Sequence, residues 1–395
     1  MTNRVKRMIN TVLKDYTLIG KIFFSLYNVL SIVLLNVFFS KEISGNFLFV
    51  LSQVLLITTF SRLGSDFYWS SSETPKKILI VKNELFIHLI ITLIVSLSFF
   101  AVLVGSTFFD FFFILMVISL SNLMQIMGRH FQKHEKHVIS LFLFTVGPIG
   151  VSVPLLMIFD HLPLMAIIAI SNLCICAPFV KHFLSNIELE VEATSFFKRL
   201  SFMPMLAFGT FNQHLITQLS GLNAREAEIA LLILIQRIAG LISWPLVLFM
   251  QTELLQLSQS TKSKDLFILN IKNYILKYSP LLVTLTIISL ISSVIVMHFE
   301  KELSLVGFFA ITTITIACLG NAMFAFIQYQ MGLKGMTSEL STIIFTSLLL
   351  SISFYYFTDT NMISASISFL LFHLFTHSAS TVFLARKIKF DQKDI

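Results

Sequence analysis

Residues 303–329 read LSLVGFFAITTITIACLGNAMFAFIQY, a run without one Asp, Glu, Lys or Arg. About 20 apolar residues carry an α-helix across the ~30 Å hydrocarbon core, and lipid offers the backbone no partners outside the helix itself. Lys301 and Glu302 bound the run on one side and Lys334 on the other, so it predicts a membrane span. Similar runs recur along the 395 residues: Leu18 to Phe39, Ile43 to Leu63, Leu85 to Val104, Phe108 to Met127, Val138 to Phe159 and Leu162 to Phe183 form a first group of six. Phe202 to Leu222, Ala227 to Met250, Ser279 to His298, Leu303 to Tyr329, Leu340 to Phe357 and Asn361 to Leu384 form a second. The expectation is an all-α integral membrane protein with about 12 transmembrane helices in two six-helix bundles: 1–184, a cytoplasmic linker 185–200, and 201–395. The joins near Leu103 to Phe113 and Met157 to Pro163 are short turns.

Composition agrees. Hydrophobic residues make up 56% of the chain, charged residues 12%, and Phe occurs 42 times, more apolar surface than a soluble domain of this length buries. The basic start, Met1 to Lys14, leads into a full span with no small-residue cleavage site, which reads as a retained helix. Cys174, Cys176 and Cys318 lie in apolar runs without metal spacing, and read as small packing residues. A net charge of +7 would suggest nucleic acid in a soluble protein, but here the basic residues flank spans. Alternate loops hold 23 Lys and Arg, and the intervening loops hold only Lys41, Arg225 and Lys301. Juxtamembrane Lys and Arg set orientation, so both termini are expected in the cytoplasm.

Lys21 and Arg237 remain, both inside predicted spans. A guanidinium at mid-span costs about 2.5–3.5 kcal/mol on insertion scales, and intramembrane charges usually face a wet cavity or a partner. Lys21 is one turn inside its span and within snorkelling reach of the surface. Ser25, Asn28 and Ser31 follow it at helical spacing, a polar stripe that a lipid-facing helix has no use for. The seventh span carries Thr210, Asn212, Gln213, His214, Thr217 and Gln218, a wider polar surface that also suits interhelical hydrogen bonds. A faint repeat at an offset of 184 pairs Lys14 with Lys198, Phe24 with Phe208, Asn28 with Asn212, Lys41 with Arg225 and Glu42 with Glu226. It sets Gln53 of the second span opposite Arg237. Two halves of six spans share orientation, with a substrate path expected between them.

The second span opens Ile43, Ser44, Gly45, Asn46, Phe47 and ends Arg62, Leu63, Gly64, Ser65, Asp66; the eighth runs from Gln236 and Arg237 to Trp244, Pro245 and Leu246. In order and spacing these resemble the oligosaccharide-lipid flippases of the multidrug/oligosaccharidyl-lipid/polysaccharide exporter superfamily, O-antigen and capsule-repeat members above all. The resemblance spans nearly the whole chain. It implies a V-shaped pair of bundles in the bacterial inner membrane, moving a polyprenyl-pyrophosphate-linked oligosaccharide from the cytoplasmic to the external leaflet by alternating access. It implies no enzyme activity and no cofactor. In its terms Arg237, Lys21 and Arg62 hold the pyrophosphate, while Asn28, Gln53, Asn212, Gln213, His214 and Gln218 line the cavity or meet the sugars. The lipid tail stays in the bilayer. The protein is expected to work as a monomer, with other polysaccharide-assembly membrane proteins as possible partners and no nucleic acid.

Two alternatives stay open. Cation-coupled drug exporters of the same superfamily generally need embedded carboxylates, and none falls near the middle of the first or seventh span; Asp15, Asp110 and Asp160 lie at ends or turns. A membrane-embedded glycan polymerase or sugar-lipid transferase needs exposed catalytic groups, whereas the external loops are short. A pure scaffold leaves Arg237 unexplained. His130, His134 and His137 share a helical face, but Lys133 and Lys136 interleave with them, so a basic cytoplasmic turn is the better reading and no metal is expected. His373 and His377 read as an interhelical hydrogen-bonding pair, open also to a proton or a metal. Ser185 to Arg199 reads as a linker and Lys262 to Lys277 as an interfacial helix.

Overall fold

The computed structural model describes residues 16–61, 78–81, 90, 93–94, 108–133, 139, 142–185, 187–190, 203–221, 228–243, 246, 264–299, 305–333, 335–358 and 361–391. The chain divides into two compact units, Met1–Met203 and Pro204–Ile395. Among the described residues, six helices are long and apolar enough to cross a membrane: Lys41–Thr59, Leu164–His182, Ile271–Ile295, Leu305–Phe324, Thr337–Phe357 and Met362–Arg386. Leu26–Phe38, Phe112–Gly128 and Ile149–Ile158 are shorter apolar helices. This is the architecture of a multi-pass membrane protein, and large apolar side chains such as Ile287, Ile291 and Leu349 stand exposed where lipid would cover them.

In the first unit, α1 (Tyr16–Phe38) and α2 (Lys41–Ser61) are joined by a tight turn. Ser40 makes that turn possible: its Oγ accepts the amide of Ile43 (3.3 Å), capping α2, while Ser44 Oγ donates back to the Leu35 carbonyl (3.1 Å). α3 (Phe108–Lys133) packs on α5 (Leu164–Leu184) through Asn172 Nδ2, which donates to Ser121 Oγ at 2.9 Å. Met124, Met127, Phe131, Leu143, Ile175 and Cys176 fill the space beside it. The fifth expected span is less regular. It includes a π-helix, Phe142–Val151, around Gly147, Pro148 and Gly150, which continues as α4 (Ser152–Ile158). Pro148 cannot donate, and widening the turn re-partners the carbonyls near it. The Tyr27 hydroxyl of α1 donates to the Gly150 carbonyl at 2.8 Å. The short join expected before Pro163 is present, closed by the Leu162 amide on the Phe159 carbonyl (3.1 Å).

A small sheet lies outside the helical expectation. β1 (Ile78–Val81) and β2 (Ile187–Glu190) pair in parallel, Ile78 opposite Ile187 and Val81 opposite Glu190. β2 alternates apolar and acidic, the period of a half-covered strand, and β1 supplies β-branched residues. The ribbon thus lies inside the first unit and includes residues read from sequence as linker.

The second unit contains α6 (Met203–Gly221), α7 (residues 228–243), α8 (Lys264–Phe299), α9 (Leu305–Leu333), α10 (Thr337–Phe357) and α11 (Met362–Asp391). Its core gathers Ile216, Leu232, Ile235, Ile311, Ile314, Met331, Phe369 and Phe372. The turn from α9 to α10 is a Schellman motif: Gly335 takes φ +69° and the Met336 amide reaches back to the Met331 carbonyl at 2.9 Å. Asn361 caps α11, its Oδ1 accepting the Ser364 amide at 2.9 Å. α8 corrects the reading of Lys262 to Lys277 as a separate interfacial helix. Its 36 residues run unbroken through Pro280, about 54 Å at 1.5 Å per residue. Pro280 has no N–H for the Leu276 carbonyl, and Ser279 Oγ supplies the missing donor at 3.1 Å. Local repair of that bond lets the helix continue past the proline.

Candidate functional site

Arg237 lies on α7 in the second unit, whose neighbours α6 and α9 bring polar groups to it. On α7 the preceding residue, Gln236, is buried and donates from Nε2 to the Asn212 carbonyl of α6 at 2.8 Å. That bond ties the two helices at the depth of Arg237. The Arg237 charge acts on His214 of α6 and on the Cys318 thiol of α9, both buried. The guanidinium of α7 is therefore gathered with groups from the preceding helix, α6, and from α9, about 80 residues further along the chain.

No carboxylate pairs with Arg237 among the described residues, and its Nε is buried without a hydrogen-bond partner. Gln236 Oε1 is in the same condition, as is Asn321 Oδ1, one turn along α9 from Cys318. A buried donor left unpaired costs about 1–3 kcal/mol, more for a charged one. Chemically, the arrangement is a cation held beside neutral donors and acceptors, suited to an anion with several oxygens, for which a guanidinium fork is the best protein partner.

Of the other expected site residues, His214 is buried against this group, Asn212 contributes its carbonyl, Gln218 is half-buried on α6, and Gln213 is exposed. Asn28 is buried on α1 and Gln53 half-buried on α2, both in the first unit. Lys21 belongs to the first turns of α1, but its side chain lies outside the described residues, as does Arg62 entirely. His134 and His137 also lie outside them, and among the described residues no three His, Cys, Asp or Glu come together as metal ligands.

Two participants were not expected from sequence. Gln236 drew notice only as part of a string with Arg237, and a glutamine next to an arginine gives no sign that it crosses to another helix. Cys318 sits mid-span in an uncharged run, where a thiol reads as packing. Of the histidine pair of α11, His377 makes the interhelical bond expected, its Nδ1 meeting Gln328 Nε2 of α9 at 2.8 Å, whereas His373 makes none among the described residues. Compared with protein-family models, with curated proteins and with solved structures, the chain matches none.

Proposed function

We propose that this chain is a flippase. It moves a polyprenyl-pyrophosphate-linked oligosaccharide from the cytoplasmic to the external leaflet by alternating access between two six-helix bundles, twelve spans in all. The observation that carries the reading is Arg237: a guanidinium in an apolar run with no carboxylate partner among the described residues, its Nε buried and unpaired, set among amides, an imidazole and a thiol. That chemistry favours an anionic cargo over a cationic one. Arg237 takes the pyrophosphate, with Lys21 and Arg62 as further cations; Asn28, Gln53, Asn212, Gln213, His214 and Gln218 meet the sugars. The lipid tail remains in the membrane throughout.

In this reading the protein acts as a monomer in a bacterial inner membrane with both termini in the cytoplasm, an orientation supported by the distribution of Lys and Arg among the loops. An interior-negative potential adds about 2.3 kcal/mol per charge per 100 mV to outward movement of an anion. The test is reconstitution: vesicles carrying the lipid-linked oligosaccharide on one leaflet, its arrival on the other, and the same measurement on Arg237→Ala and Arg237→Lys. Loss in the first with partial retention in the second is expected. Transport unaffected by Arg237→Ala removes the site.

A further inference from the structure

We propose that His373 and His377 of α11 form a proton-binding site inside the second unit, with Gln328 of α9 able to serve either protonation state by turning its amide. The two imidazoles are one helical turn apart and nearly parallel, centroids 5.9 Å apart and planes 19° apart. Both are buried, His373 to 2% exposure and His377 to 8%. Both ring nitrogens of His373 are buried with no hydrogen-bond partner among the described residues. A further turn along the same face, Ser380 Oγ is buried in the same condition. A histidine kept for packing alone would be better replaced by Phe, and Phe already surrounds this one.

Those Phe rings are the second observation. Phe369 lies edge-to-face with His373 at 4.6 Å and Phe372 at 5.3 Å; Phe208 of α6 approaches both imidazoles, at 6.1 and 6.0 Å, and Phe324 of α9 approaches His377 at 5.9 Å. These rings supply the pair no counter-ion, so a charge on it has to be met by a neutral dipole. Gln328 is the third. Its amide nitrogen faces His377 Nδ1 at 2.8 Å, the arrangement for a neutral ring that accepts. A half-turn of the amide presents Oε1 instead, the arrangement for a protonated ring that donates. Two positive charges on rings 5.9 Å apart would repel, so the pair is assigned one proton and not two.

Among the described side chains, the helices around the pair bring few other ionisable groups. α9 brings Cys318, about 15 Å along its axis from Gln328. α6 brings His214, about 9 Å along its axis from Phe208. α10 brings Glu339 in its first turn, bonded to Ser338 Oγ, and Tyr355 and Tyr356 near its last. α8 brings Lys272, Tyr274, Lys277 and Tyr278 near one end and His298 at the other, and α11 itself brings Arg386 toward its end. The site stands apart from the Arg237 reading and does not need it.

The test is nitrogen-15 NMR of histidine-labelled protein in lipid nanodiscs, titrated from about pH 8 to about pH 4. The pair is picked out by its loss in His373→Gln and His377→Gln. One proton taken up by the pair is expected, lost in Gln328→Met, which cannot accept an N–H bond, and retained in Gln328→Glu. Should the histidine variants fail to fold, the two Gln328 variants carry the test alone, read as the titrating signal present in one and missing in the other. Rings that stay neutral throughout, or that titrate alike in all Gln328 variants, would overturn the proposal. So would stoichiometric cobalt(II) perturbing the same signals, which would assign a metal site instead.

Discussion

Replacing Gln236 by Leu removes the side-chain bond from α7 to the Asn212 carbonyl of α6 and changes little else. The Asn212 carbonyl is inside α6 and keeps its helical partner, so no acceptor is orphaned. Leu nearly fills the same volume, and the buried Oε1 that had no partner goes with the amide. What is lost is one interhelical hydrogen bond in a membrane, about 0.6 kcal/mol on average and about 1.7 at most. Unfolding in mixed micelles, followed by tryptophan fluorescence, should show a loss of that size for Gln236→Leu. Gln236→Ala adds a cavity at a buried position and should cost about 2 kcal/mol or more. Because Arg237 is the next residue, about 0.6 kcal/mol of lost positioning should lower transport at limiting substrate about threefold. A loss above about 3 kcal/mol in Gln236→Leu would refute the reasoning. So would unchanged stability together with unchanged transport.

Two further outcomes follow from the same physics. Gly335→Ala forces a side chain into a left-handed residue with open space around it, so the cost is backbone strain alone, about 1–2 kcal/mol; Gly320→Ala, also in open space but inside α9, should stabilise by about 0.5–1 kcal/mol, and thermal unfolding of the two variants checks the opposite signs. With both termini proposed to be cytoplasmic, a reporter fused after Ile395 should be active only in the cytoplasmic compartment, since alternate loops hold 23 Lys and Arg and the intervening ones 3; an externally active fusion would reverse the orientation.

Helix after helix was legible because uncharged runs have one stable form in lipid: Leu303 to Tyr329 becomes Leu305–Leu333, and Asn361 serves as the cap of α11 where the run was read to begin. Departures occur where local chemistry answers a single backbone defect. The ninth run was read to begin at Ser279, yet Ser279 Oγ supplies the donor that Pro280 lacks, and α8 runs through both. Pro148 instead opens a π-helix whose Gly150 carbonyl is met by Tyr27, 123 residues away. The parallel ribbon of β1 and β2 joins segments more than 100 residues apart, and four-residue strands carry too little period to announce themselves. In the site, Arg237 was legible because a lone charge in an apolar run is costly wherever the helix goes. Gln236, Cys318 and Gln328 were not, because each matters through a residue on another helix.

Arg237 is proposed to hold an anionic, lipid-linked cargo. The most direct measurement is leaflet-to-leaflet movement of a polyprenyl-pyrophosphate oligosaccharide in vesicles containing the wild-type protein or folded Arg237→Ala. Movement by the wild type and its loss in the variant are expected. Equal movement by both would contradict the role of Arg237, and no movement by the wild type with any of several glycans would contradict the proposed function itself.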